Sequence, residues 1–207
     1  MNVSTVPTKG NLMSLQNSLK LARQGYELMD KKRNILISEL TGLIDEAKGI
    51  QSEIDVTFRK AYKALQEANI ELGISYVQEV AEAMEVENSI VIKTRSVMGT
   101  EIPRVEMDQT EMKPTFAFYS TRYSLDEVRE AFQKVKELTT RLSAVENSAY
   151  RLAANIRKTQ KRANALNNIT IPTYEALCKN IQSALEEKER EEFTRLKVIK
   201  RNKQKRA

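Results

Sequence analysis

The chain contains no histidine and a single cysteine, Cys178. Without imidazole the usual general base is missing, and with it the Ser-His and Cys-His nucleophile pairs and the commonest metal ligand. One thiol can build neither a structural zinc site nor an intramolecular disulfide, a usage that agrees with a reducing cytosol. The six glycines spell neither GxxxxGK nor GxGxxG, so no phosphate-cradling loop is present. Carboxylates are plentiful, but Glu186–Arg190 and Glu191–Arg195 are spaced i, i+4. That spacing makes ion pairs on a helix surface, each worth a few tenths of a kcal/mol, rather than paired catalytic acids. Cys178 follows Leu177 in a helical pattern and reads as an ordinary packed or surface residue. No catalytic, cofactor-binding or metal-ligating residue is assigned, and an enzyme is not indicated.

The other candidate chemistry is electrostatic. Arg195, Lys197, Lys200, Arg201, Lys203, Lys205 and Arg206 lie in the last thirteen residues, with no acidic residue among them. Taking those seven charges from the net +6 leaves the remainder one charge below neutral. The basic character thus belongs to one end. Such a tail suits a polyanion, but a nucleic-acid binder would also need interleaved aromatics or a basic stripe along the body. From Leu196 onward there is no aromatic residue, and the body is near neutral.

What the tail does depends on the elements that carry it. Stepping alternately by three and four from Leu12 meets Leu15, Leu19, Ala22, Tyr26, Met29, Arg33, Leu36, Leu40, Leu43, Ala47, Ile50 and Ile54. Arg33 is the one polar member of this stripe. A sustained 3.5-residue repeat marks a coiled-coil seam, in which a polar residue fixes register or snorkels outward. Past Ile54 the stripe continues through Phe58, Ala61, Leu65 and Ala68, and the 4-4 spacing at Ile50, Ile54 and Phe58 is a phase slip. One helix is predicted from about 9 to about 86, on the order of 115 Å long at 1.5 Å per residue. Gly42 and Gly49 lie seven apart on an outer stripe of that helix, either for close approach by a partner or by simple tolerance.

Helical periodicity then stops. Ile90 to Val97 and Thr100 to Met107 are predicted as a hairpin turning near Met98 and Gly99. Residues 108 to 123 read as a loop with room for one more short strand. The capping box Ser124-Leu-Asp-Glu127 is expected to open a second helix. Its stripe runs through Leu138, Leu142, Val145, Ala149, Leu152, Ile156, Thr159, Ala163 and Leu166. Pro172 should break or kink it. Tyr174, Leu177, Ile181 and Leu185 resume the apolar face, and Phe193 and Leu196 carry it toward the tail.

The expected fold is therefore mainly α: a long antiparallel two-helix coiled coil of the N- and C-terminal helices, with a short central β-hairpin. Its parts are 1–87, 88–123 and 124–207, and both termini fall at one end. No run of about 18 apolar residues is present for a membrane span, and the N-terminus lacks a signal-peptide core.

Against this layout, PTKGNLMSLQNSLKLARQGYELMDKKRNIL from Pro7 and NALNNITIPTYEALCKNIQSALEEKEREEFTRLKVIK from Asn164 resemble the ends of the D subunit of V-type and archaeal-type rotary ATPases. RSVMGTEIP, from Arg95, is similar to that family's central segment. The resemblance spans essentially the whole chain in order, tight at both ends and looser over residues 104 to 123. It implies a non-catalytic rotor shaft without cofactor, cytoplasmic and peripheral to the membrane, transmitting torque between ATP chemistry and ion translocation. Implied partners are the catalytic and non-catalytic ring subunits, the F subunit, and the subunit seating the shaft on the membrane ring, with neither nucleic acid nor membrane insertion. Carried onto this chain, it sets Lys9, Arg195, Lys197, Lys200, Arg201, Lys203, Lys205 and Arg206 toward the ring bore. It sets Arg95, Met98, Gly99 and Ile102 toward the F subunit or the stalk base. The stalk protein of type III export ATPases is similar in design, but the end motifs favour the rotary branch. The alternative classes are a homodimeric scaffold and a nucleic-acid-binding coiled coil with a basic tail.

Overall fold

The computed structural model describes residues 6–84, 89–107 and 121–206. In chain order the elements are helix α1 (Lys9–Leu72), helix α2 (Ile74–Glu82), strands β1 (Ile90–Val97) and β2 (Thr100–Met107), and helix α3 (Tyr123–Ala165). A π-helical turn (Leu166–Thr170) then leads into helix α4 (Ile171–Arg206). Two compact units share these elements: Met1–Arg33 with Arg157–Ala207, and Asn34–Ile156.

In the first unit, α1 starts where Thr8 caps it. The Thr8 hydroxyl accepts the Asn11 amide hydrogen at 3.3 Å, satisfying one of the donors a helix start leaves without partner. Leu15 and Ala22 on α1 are buried, as are Thr159, Ala163 and Ile181 on the returning helix. Polar contacts fix the direction. Lys9 pairs with Glu189 at 2.9 Å, Arg23 with Glu175 at 2.6 Å, and Arg33 Nη1 donates to Gln160 Oε1 at 2.9 Å. As α1 ascends its partner descends, so the pair is antiparallel, as the two seams predict. Arg33 also pairs with Asp30 at 2.6 Å, and its side chain is 28% exposed. The one polar seam residue therefore bonds across the seam, which places a hydrogen bond where sliding would otherwise meet only apolar surface.

Pro172 does not end the helix. The π turn lies just ahead of it, with the Ile171 amide donating to Leu166 five residues back. A proline in a helix lacks a donor and crowds the carbonyl four residues earlier; widening the preceding turn removes that crowding while the chain stays helical.

The second unit holds the rest of α1, α2, the hairpin and most of α3. Its buried α1 residues are Leu36, Ile50, Ile54, Ala61, Ala64 and Ala68. The line Leu36–Ile50 repeats by sevens, and after a step of four the line Ile54–Ala61–Ala68 repeats by sevens again. A step of four is the ordinary complement of three in a heptad, and buried Ala64 falls between Ala61 and Ala68 as that spacing requires; Phe58 is only half-buried, so the buried line does not follow the expected phase slip. On α3 the opposing buried residues Val128, Val135, Val145 and Leu152 also keep to the heptad, since Val135 to Val145 is a step of three, four and three. Ile50, Ile54 and Val145 form one cluster across the seam.

The predicted single helix to about residue 86 is interrupted. Gly73 has φ 88° and ψ 146°, and α2 restarts at Ile74. The reason is packing: Val77 joins Ala64, Ala68 and Val128 in one cluster. Along an unbroken helix Val77 would lie about 14 Å beyond Ala68, the nearest buried α1 member of that cluster. Only glycine takes this backbone conformation without strain.

The hairpin has the predicted bounds, paired from Ile90↔Met107 to Val97↔Thr100. Met98 (φ 48°) and Gly99 (φ 74°) both sit at positive φ, as a two-residue I′ turn requires. The further strand suggested between 108 and 123 falls mostly on residues outside those described. The capping box does not form. Helix α3 begins one residue earlier, at Tyr123, and the Ser124 hydroxyl donates to Glu71 Oε2 at 2.7 Å. Burial of Leu125 (3% exposed) anchors the first turn instead.

Candidate partner-binding surfaces

Helix α4 runs through to Arg206, so the basic tail is helical. Its N-terminal neighbour α1 starts at Lys9, opposite Glu189. Their bond and mutual attraction hold the Glu189 carboxyl below its ordinary range and the Lys9 ammonium above its own. Beyond that pair α4 continues to Arg206, and every residue from Arg190 to Gln204 is exposed. Arg195, Lys197, Lys200, Arg201 and Lys203 are all exposed there. So are Phe193, Leu196, Val198 and Ile199, at 53–64%. Leu196, Ile199, Lys200, Lys203 and Gln204 line a shallow depression, and Lys197 Nζ stands 5.1 Å over the Phe193 ring. The tail is thus as apolar as it is basic. The continuation of the seam through Phe193 and Leu196 in the sequence was the signal for this.

The structure separates the four hairpin candidates. Met98 and Gly99 are exposed at the turn. Arg95, on β1, is ion-paired with Glu39 of α1. Ile102 is only 7% exposed and clusters with Leu36 and Leu152, both fully buried. Sequence patterning did not single out the groups that hold β2 in place. Ser148, 3% exposed, directs its hydroxyl to the carbonyls of Ala144 (2.7 Å) and Pro103 (3.2 Å). Arg151 Nη1 donates to the Glu101 carbonyl at 3.3 Å, and the Asn155 amide donates to the Thr100 hydroxyl. The available signal was the placing of Ser148 and Asn155 seven apart beside the apolar line Val145–Leu152.

Cys178 is half-buried, and a Cβ added to Gly42 or Gly49 would meet nothing within 4 Å. Among the described residues no group of three or more Cys, Asp or Glu is arranged to hold a metal, and no helix is long and apolar enough to cross a membrane.

The helices bury their stripes against each other within one chain, and the α4 end and the hairpin turn are exposed. A coiled coil of this kind acts by contact with other proteins. The family model for the ATP synthase D subunit matches residues 11–201, and the chain belongs to that family. It is 44% identical over 198 residues to the V-type ATP synthase D subunit of Thermotoga neapolitana, covering 96% of this chain and 98% of that protein. It is 37% identical over 197 residues to the A-type ATP synthase D subunit of Pyrococcus horikoshii, covering 94% and 92%.

Proposed function

We propose that this chain is the central rotor shaft of a V/A-type rotary ATPase, carrying torque between nucleotide chemistry in a catalytic ring and ion translocation in a membrane ring. The carrying observation is the α4 end beyond the Lys9–Glu189 pair, a helix with exposed Phe193, Leu196, Val198 and Ile199 among basic residues. Apolar contact without directional bonds suits a surface that must meet successive neighbours as it turns, and exposed patches of this kind mark protein contact sites. Because a shaft is not threefold symmetric, each catalytic interface around it meets a different face. Contacts that differ between conformations then shift each interface among its states. Catalysis belongs to the ring subunits; this chain is non-catalytic, binds no cofactor, and is a cytoplasmic subunit peripheral to the membrane.

In this reading Lys9 and the basic residues of α4 face the ring bore. The exposed turn at Met98 and Gly99 faces the F subunit or the subunit that seats the shaft. The test is native affinity purification of the tagged full chain with mass spectrometry of what accompanies it. Catalytic-ring subunits and the F subunit should be recovered, and deleting residues 196–207 should weaken ring association while sparing the F subunit. Recovery of neither under conditions that preserve large complexes would overturn the assignment.

A further inference from the structure

The hairpin touches both helices of the second unit, and its contacts differ in kind on the two sides. On α3, Ser148, Arg151 and Asn155 line one face and meet Pro103, Glu101 and Thr100 in reverse order. On α1, Glu39 holds Arg95 of the outer strand, and Leu36 and Leu40 pack with Ile102. Strand β2 carries buried Thr100 and Ile102, whereas β1 is exposed along nearly all its length. A two-stranded hairpin has little stability of its own, so its place here derives from these anchors.

We propose that the hairpin is a strap that fixes the axial register of α1 against α3 while the shaft is under load, with Ser148, Asn155 and Glu39 as its positioning residues. The proposal rests on the rotor reading above. Twisting a two-helix coiled coil drives one helix along the other. Apolar seam contacts resist this weakly, since a displaced knob finds another hole. Hydrogen bonds are short-ranged: a slide of one residue is about 1.5 Å, which carries the contacts of Ser148 and Arg151 (3.2 and 3.3 Å) out of bonding distance. The location supports the same role. Leu43 packs against both the strapped cluster and the Ile50–Ile54–Val145 cluster, so the strapped layer is continuous with the next layer of the seam.

The experiment compares wild type with a Ser148→Ala/Asn155→Ala variant, as full chains and in the assembled complex. Amide exchange over residues 90–107 should accelerate by about tenfold or more on loss of these bonds. Unloaded ATP hydrolysis should stay at the wild-type level, while ions moved per ATP against an opposing gradient should fall. Ser148→Thr, which keeps the hydroxyl, should restore part of that loss in the doubly substituted background. Glu39→Ala, at an exposed ion pair with no folding risk, should produce a smaller loss in the same direction. Faster hairpin exchange with unchanged ion movement under load overturns the proposal, and so does unchanged exchange. Failure of the wild-type chain to join a catalytic ring would overturn the rotor reading instead, because exchange in the isolated full chain reads the anchors alone.

Discussion

Ile102→Ala cuts the hairpin's most deeply inserted apolar side chain back to its first carbon. Ile102 is 7% exposed, and the two leucines it covers, Leu36 and Leu152, are both at 0%. Three carbons leave a dry site, at about 0.8 kcal/mol each, or about 2.4 kcal/mol in transfer terms. Leu36 and Leu152 sit on helices clamped along their length and cannot close the gap, so a cavity term follows, bringing the expected cost to about 3 kcal/mol. The hairpin, however, can lift away as a unit at less cost than unfolding the helices. Amide exchange over residues 90–107 should therefore show most of the loss, and denaturant unfolding followed by helical circular dichroism should show less. Leu152→Ala supplies the contrast, since its loss, about 2–5 kcal/mol, must appear in the helical transition itself. If Ile102→Ala changes hairpin protection by less than about 0.5 kcal/mol, the range of surface substitutions, Ile102 is not plugging the core and the reasoning fails.

Gly42→Ala and Gly49→Ala should each stabilise the isolated chain by about 1 kcal/mol, because the new methyl group meets nothing and glycine is a poor helix residue; denaturant midpoints read this, and a loss would show that the space is not free. Gly73→Ala should destabilise α2 by about 1–3 kcal/mol, because its positive φ and extended ψ suit only glycine; equal or greater protection of residues 74–82 against exchange would refute that. The Lys9–Glu189 pair should be closed across neutral pH. Glu189 is depressed by the Lys9 hydrogen bond and charge, so its contribution exists above the unfolded pKa and is lost as pH falls through the depressed value. Lys9 is raised by Glu189, so its contribution exists below the unfolded pKa and is lost as pH rises through the raised value. The window runs from about pH 4.3 to about 10.4, and an NMR titration showing opening near neutrality would contradict the pairing.

The hairpin was legible residue by residue because its signals are local: β-branched runs and a glycine at the turn. The seams were legible because the 3.5-residue repeat is long, but the slip read at Phe58 was misleading, because a large half-buried side chain there flanks a seam that the smaller Ala61 and Ala64 fill. The break at Gly73 was not, since one glycine costs a helix only about 1 kcal/mol and leaves the surrounding pattern intact. What decides it is the distant cluster of Ala64, Ala68, Val77 and Val128. Ser124 misled for a similar reason: its capping pattern is correct, but burial of Leu125 and the bond to Glu71 outweigh it. The anchors Ser148 and Asn155 look like ordinary helix-surface polar residues until β2 is laid beside them. The α4 surface was half legible, with its charges plain and its apolar face mistaken for further seam.

The π turn at Leu166–Thr170 has a consequence for how this chain can change over generations. Such a turn absorbs an extra residue by widening, so the helix beyond it keeps its facing, whereas one residue gained or lost in an ordinary turn rotates everything after it by about 100°. Losing a residue there would close the wide turn to an ordinary one and leave Leu196 and Ile199 on the side of the axis they occupy now. A single-codon deletion at that place would thus spare the aim of the far end, a tolerance to change in length that the ordinary turns of α3 and α4 do not have.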